Sequence, residues 1–309
     1  MITYYNNNEL GLLTIPEAAA GCWINVIDPT QQEILHLQTL GIPSDYLTYS
    51  LDIDERPHTE RENSDLFILL RIPFFQGDQS DIPYSTIPLG IILTHSYLVT
   101  VCKQENDILR EFSYGRVRGL SISKRNRFIL QILLATANCY LNQLHLITHR
   151  VDILEDHLQL STRNKEVLEL LKFQKSLTLF TTALKSNELM LRRLQQGRFF
   201  NAYPEDEDLL EDALTETQQA IEMTNIESNI LSSMMDAFAS IISNNLNGVM
   251  KFLASITIMI SIPTMIFSFY GMNVGLPFDS HSQAFFFILT LAVIFSIVTA
   301  FIFWKRDWL

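Results

Sequence analysis

The chain has 309 residues, 48% of them apolar and 18% charged, with a net charge of −12 and a mean hydropathy of +0.14. The acidic balance argues against a nucleic-acid partner, because phosphate binding needs a basic surface. Three scattered cysteines, Cys22, Cys102 and Cys139, are too few for a disulfide framework or a thiolate metal site, and they fit a reducing compartment.

Met1 to Gly11 is polar, with neither a basic nor an apolar signal region, so it is not read as a secretory signal peptide. Roughly the first 120 residues read as mixed α/β. Strand-like runs fall at Cys22–Ile27, Leu66–Phe75, Ile87–Leu93 and Tyr97–Val101, and a short helix is expected over Gln31–Leu40. No glycine-rich phosphate loop follows these strands, which leaves a nucleotide-binding fold unsupported. From about Lys124 the pattern becomes helical. Ile129, Leu133, Leu141, Leu144, Ile147, Val151 and Leu158 mark a helix over Arg127–Leu160. Leu168, Leu171, Leu177, Leu184, Leu191 and Leu194 mark another over Lys165–Gln196, stopped at Gly197. His145, His149 and His157 share a face of the first helix. Such a pair could bind Zn²⁺, with Asp152 and Asp156 nearby, but a plain polar face is the simpler reading. Lys124, Arg125 and Arg127 are expected to start this helix or to face solvent.

A third helical stretch begins near Glu205 and meets no proline before Pro263. Continued to Tyr270, it would extend about 100 Å, which suggests a stalk that becomes a membrane span. The acidic cluster at its start includes Glu205, Asp206, Glu207, Asp208, Glu211, Asp212 and Glu216. It could hold divalent cations or simply solvate a helix start favoured by the dipole. Residues 252–270 and 284–304 are uncharged runs of nineteen and twenty-one. Each suits the roughly 20 residues a helix needs to cross a bilayer. The chain therefore reads as an integral membrane protein with a large polar front end, whose residues 1–248 hold 19 basic and 32 acidic groups. Lys251, Lys305 and Arg306 flank the two runs, and the loop over 271–283 has only Asp279. The positive-inside rule then puts both termini in the cytoplasm and the loop outside, in a multi-pass protein of the cell membrane.

Within the first run, Asn247, Met250, Ala254, Thr257, Ser261, Thr264 and Ser268 recur at alternating steps of three and four, forming one helical face. Small residues of this kind serve either tight helix packing in lipid or a narrow aqueous path. One helix cannot enclose a path, so the second reading requires an oligomer. The second run has no such stripe, and Phe285, Phe286 and Phe287 look lipid-facing. The loop opens with Tyr270-Gly271-Met272-Asn273. A ring of asparagine carboxamides could accept hydrogen bonds from the water shell that Mg²⁺ gives up reluctantly. The same residues also suit a plain helix cap. No local motif suggests a nucleophilic triad, and the chain does not read as an enzyme.

The tetrapeptide Tyr270-Gly271-Met272-Asn273 before one last span resembles the signature of the CorA magnesium transporter family. So do the short loop, the basic end before Trp308-Leu309, Cys22-Trp23-Ile24-Asn25, and Asp54-Glu55-Arg56-Pro57 ahead of Leu66–Ile72. The resemblance covers essentially the whole chain. It implies an α+β cytoplasmic domain joined to a long stalk helix and two C-terminal transmembrane helices, in a funnel-shaped homopentamer embedded in membrane lipid. The corresponding divisions are residues 1–122, a helical hairpin over 123–204, stalk and first span over 205–270, loop over 271–283, second span over 284–304 and a tail over 305–309.

By the same resemblance Gly271, Met272 and Asn273 form the selectivity filter, and Asn247 forms an inner polar ring. Met250 and Leu253 close the pore, and Thr264 lines it with the stripe residues Thr257, Ser261 and Ser268. Asp212 is the expected regulatory metal ligand on the stalk, with Asp78 and Asp81 as candidate partners. The function implied is channel-like import of divalent cations, Mg²⁺ with Co²⁺ or Ni²⁺, driven by membrane potential and closed by cytosolic Mg²⁺. Mg²⁺ is then cargo and regulator, and no cofactor is expected. The tail Lys305-Arg306-Asp307 is less basic than family ends, and the loop lacks a dense acidic patch. A proton-coupled zinc transporter of the similar ZntB branch is one alternative. A non-transporting membrane-anchored sensor or scaffold is another.

Overall fold

The computed structural model describes residues 1–8, 11–62, 65–160, 164–200, 203–275, 283–306 and 308. They form two compact units, Met1–Met235 and Asp236–Leu309. In chain order the first unit opens with β1 (Ile2–Asn8), β2 (Gly11–Ile15), β3 (Trp23–Ile27), α1 (Gln31–Thr39) and α2 (Ser44–Leu51). It continues with β4 (His58–Glu62), β5 (Asp65–Phe75), β6 (Tyr84–Leu93), β7 (Leu98–Cys102) and α3 (Asp107–Ser113). The long helices are α4 (Arg125–Leu160), α5 (Asn164–Gln196) and α6 (Pro204–Tyr270), the last of which runs on into the second unit.

The strands make one sheet in the order β2-β1-β3-β7-β6-β5-β4, antiparallel except where β3 lies parallel to β7. Both faces are covered, which is why β5, β6 and β7 read as nearly unbroken apolar runs. Alternate residues divide between two cores. Trp23, Ile68, Leu70 and Ile72 face Phe128, Leu133, Leu191, Leu194 and Leu210 of the long helices. Ile24, Val26, Phe67 and Leu69 face Leu37, Tyr46 and Leu47 of α1 and α2. The hairpin helices and the first turns of α6 thus complete the core of the sheet.

Four strands lie where sequence reading expects them, whereas β1, β2 and β4 escaped it. β1 and β4 are polar (ITYYNNN and HTERE), and β2 and β4 are the sheet edges, where hydrophobic alternation is not required. The short helices α2 and α3 were missed for want of length. The apolar stripe of α5 also differs from expectation. Leu168 and Leu171 are exposed, while Leu170, Phe173, Leu177, Phe180 and Leu184 are buried.

Two contacts fix the layers on the sheet. At Gly90 in β6 an added Cβ would stand 1.8 Å from Ser50 Oγ of α2, so only glycine lets that helix lie against the strand. On the other face, Arg71 of β5 pairs with Pro88, which has no N–H to share, and β4 has ended at Leu69. The orphaned backbone is satisfied by a side chain. Asn187 of α5 accepts from the Arg71 N–H at 2.9 Å and donates to the Arg71 carbonyl at 2.7 Å, while Tyr140 of α4 donates to the same carbonyl. An amide thereby substitutes for the missing strand.

The second unit holds the end of α6 and α7 (Ala284–Lys305). Both carry stretches long and apolar enough to cross a membrane. Their large apolar side chains point outward, among them Met265 and Phe285 at 68% exposure and Trp304 at 67%.

Candidate functional site

The α6 stripe is open along its length. Asn247, Met250, Ala254, Thr257, Ser261, Thr264 and Ser268 are all exposed, as is Leu253 beside them. The hydroxyls have a specific orientation. Thr257 donates to the Leu253 carbonyl at 2.8 Å, Ser261 to Thr257 at 2.7 Å and Thr264 to Ile260 at 2.8 Å. Each proton is used inside the helix, so the oxygen presents acceptor lone pairs outward. A hydrated cation presents water hydrogens, which suits such a lining.

Ser255 behaves differently. It sits about 100° round the helix from Ala254. It is fully buried, donates to the Lys251 carbonyl at 2.8 Å and also reaches the Trp308 carbonyl at 3.4 Å. Trp308 in turn stacks on Phe303 at 5.5 Å between ring centroids. The polar residue that packs is therefore the one off the stripe. Sequence reading passed it over, although its place outside the period was a usable signal.

At the end of α6 the Gly271 N–H donates to Phe267 at 2.9 Å and to Ser268 at 3.2 Å, and Met272 reaches Phe269 at 3.4 Å. These bonds close the helix without a left-handed residue at Gly271 or Asn273. A Cβ at Gly271 would make a tight 3.3 Å contact with the Phe267 carbonyl. Asn273 follows, exposed beyond the last turn. Asp279 and the rest of 276–282 lie outside the described residues.

The acidic start of α6 is only partly solvated. Arg127 of α4 donates from Nη2 to Glu205 at 2.5 Å and from Nε to the buried Asp206 at 3.0 Å. The hydrogen bond from Arg127, then its charge, holds the Glu205 carboxyl below its usual range. Donating to Glu205 and Asp206 raises the Arg127 guanidinium in return. Arg127 thus neither merely starts its helix nor faces solvent free of a partner. Arg125 donates to the Thr94 and His95 carbonyls.

Asp212, two turns further along α6, is exposed. Asp78 is exposed in the β5–β6 connection and takes a 3.4 Å contact from Arg150 of α4, and Asp81 is exposed beside it. Among the described residues no group of three or more acids, histidines or cysteines is placed to hold a metal within one chain. His145 and His149 are exposed on α4, and the side chain of His157 lies outside the described residues.

An α/β unit and a 67-residue helix whose apolar end is followed by a second apolar helix, α7, define an integral membrane protein with a large N-terminal domain. The model of the family described as CorA-like Mg²⁺ transporter protein matches residues 18–306, and the chain belongs to that family. The cobalt/magnesium transport protein CorA of Methanocaldococcus jannaschii is 28% identical, over 93% of this chain and 91% of its own length. That of Thermotoga maritima is 24% identical over 96% and 86%. The solved structure of the complete M. jannaschii CorA magnesium transporter superposes with a TM-score of 0.85 over 100% of this chain and 99% of the other, at 24% identity. The cytoplasmic domain of ZntB from Vibrio parahaemolyticus shares the fold at a TM-score of 0.63 and 11% identity, over 78% of this chain and 98% of that domain.

Proposed function

We propose that the chain is a channel-like importer of hydrated divalent cations, Mg²⁺ and Co²⁺ foremost, working as a homopentamer with both termini in the cytoplasm. The observation that carries this is the open α6 face, where hydroxyl oxygens with committed protons succeed one another from Thr257 to Thr264. Met250 and Leu253, exposed at 57% each, are free to pack against further copies of the helix. In that arrangement Asn273 forms the outer ring that accepts hydrogen bonds from the ion's water shell. Asn247 forms the inner ring, and Met250 and Leu253 form the constriction. The driving force is the membrane potential, about 2.3 kcal/mol per charge per 100 mV and double that for a divalent ion.

The acidity of residues 1–248 supports closure by cytosolic Mg²⁺. Exposed Asp212, Asp78 and Asp81 do not gather into a metal site within one chain. In this reading a second copy supplies the remaining ligands, so that bound Mg²⁺ ties neighbouring subunits and its loss lets like charges push them apart.

Uptake into proteoliposomes tests the reading. Mg²⁺ entry that follows voltage and ignores an imposed pH gradient supports it. Zn²⁺ entry that requires the proton gradient would instead move the chain to a coupled zinc transporter, and no flux of either ion would leave a sensor or scaffold. Asp212→Ala is expected to weaken inhibition by internal Mg²⁺ at least tenfold, about 1.4 kcal/mol of binding. Unchanged inhibition removes Asp212 from the regulatory site.

A further inference from the structure

Ser255 breaks the pattern of the helix that carries it. Leu253, Ala254 and Thr257 around it are exposed, whereas Ser255 is the one polar side chain of the second unit, among the described residues, that is wholly buried. Its hydroxyl donates to the Lys251 carbonyl at 2.8 Å and reaches the Trp308 carbonyl at 3.4 Å. One proton thus serves an acceptor in its own helix and another 53 residues away.

A second set of contacts brings the tail there. After α7 the Arg306 N–H closes the helix on the Ile302 and Phe303 carbonyls at 3.1 and 3.2 Å. The Trp308 N–H then turns back to the Phe303 carbonyl at 3.0 Å. Its ring lies on that of Phe303, 7° from parallel with centroids 5.5 Å apart. This fold-back is local to the end of α7, and it presents the Trp308 carbonyl to α6.

The position of Ser255 on α6 gives the contact a use. Leu253 and Thr257, two residues before and after it, both stand about 160° round the helix and only about 3 Å away along its axis. The tail therefore holds the back of α6 at the level of the Leu253 constriction. A hydrophobic constriction shuts by excluding water, so apolar side chains from several copies must meet within narrow limits. Passage of a hydrated ion tolerates far more freedom. A brace behind this level thus serves closure rather than conduction.

Resting on the importer reading above, we propose that Ser255 is a positioning residue for closure, whose hydrogen bond to the Trp308 carbonyl braces α6 against the tail so that Leu253 shuts the path. Neither Ser255 nor Trp308 touches the ion. The brace sets how tightly the path closes, not which ion passes.

The test uses the full-length protein in proteoliposomes, with Mg²⁺ flux measured at low and at inhibitory internal Mg²⁺. Ser255→Ala removes the hydroxyl and little volume. It is expected to raise the residual flux at inhibitory Mg²⁺ about tenfold, the effect of one lost hydrogen bond. Flux at low internal Mg²⁺ should stay as in wild type. Trp308→Ala, which removes the ring that folds the tail back, should leak to the same extent, and the double variant no further, because both break one contact. Residual flux as low in both single variants as in wild type, additive leaks in the double variant, or a parallel fall of both fluxes overturns the proposal and leaves the importer reading standing. A wild type without Mg²⁺ flux, or with flux that ignores internal Mg²⁺, defeats that reading, and the proposal falls with it. Because Trp308 lies beyond the end of α7, Trp308→Ala remains decisive if Ser255→Ala fails to fold.

Discussion

The two units bury opposite kinds of side chain. In Met1–Met235 the large apolar residues are inside: Trp23, Phe67, Phe112, Phe128 and Phe180 are wholly buried. In Asp236–Leu309 they are outside, with Phe285, Phe286 and Ile297 all above 60% exposed, while Ser255 is buried. The first unit completes its core within one chain. Among its described residues the second has no such core, and its outward apolar surface suits lipid. One polypeptide thus carries a domain that hides its apolar side chains and a segment that displays them.

Truncation of matched aromatics tests that contrast most strongly. Phe128→Ala is expected to destabilise the first unit by about 3–5 kcal/mol. Phe286→Ala, at 67% exposure, should change the detergent-solubilised melting curve by less than about 0.5 kcal/mol. Equal shifts would mean that α7 is packed against protein rather than exposed to lipid.

Asn187→Leu should cost about 1–3 kcal/mol in chemical denaturation, because the Arg71 N–H loses its acceptor while Tyr140 still serves the carbonyl. A neutral substitution would show that the amide is not replacing the absent strand. In the second unit, Asn273→Ala is expected to lower Mg²⁺ flux about tenfold, ~1.4 kcal/mol, with melting unchanged. Flux and selectivity equal to wild type would remove the asparagine ring from the path.

The smallest effect concerns acid. The Glu205 carboxyl is depressed by Arg127, so its contribution to stability is present above the ordinary glutamate value of about 4.3. That contribution is lost as pH falls through the lower folded value. Arg127→Gln should flatten this part of the stability curve below about pH 4.3 and leave it nearly unaltered at neutral pH. A curve that keeps its slope would show that the pair does not hold α6 to α4.

Much of this architecture is legible in a single sequence because its signals are local. Nineteen and twenty-one uncharged residues identify two spans, and a three-four step identifies the stripe on α6. Unbroken apolar runs identify the strands buried on both faces. The weakly patterned elements were lost, since an edge strand such as HTERE needs no apolar face. At the candidate site, the stripe could be read from period alone, but the orientation of its hydroxyls could not.

The membrane class, the long helices and the family resemblance rest on runs, periods and short motifs, whose residues lie within a few turns of each other. Folding alone reveals that β3 lies parallel to β7, that Asn187 completes β5, that Arg127 holds Glu205 and Asp206, and that Ser255 packs while Ser261 stays open. Those partners stand tens of residues apart along the chain, as Arg71 and Asn187 do at 116. Local periodicity cannot specify such pairings. They are selected by which buried donor meets which acceptor once the layers close.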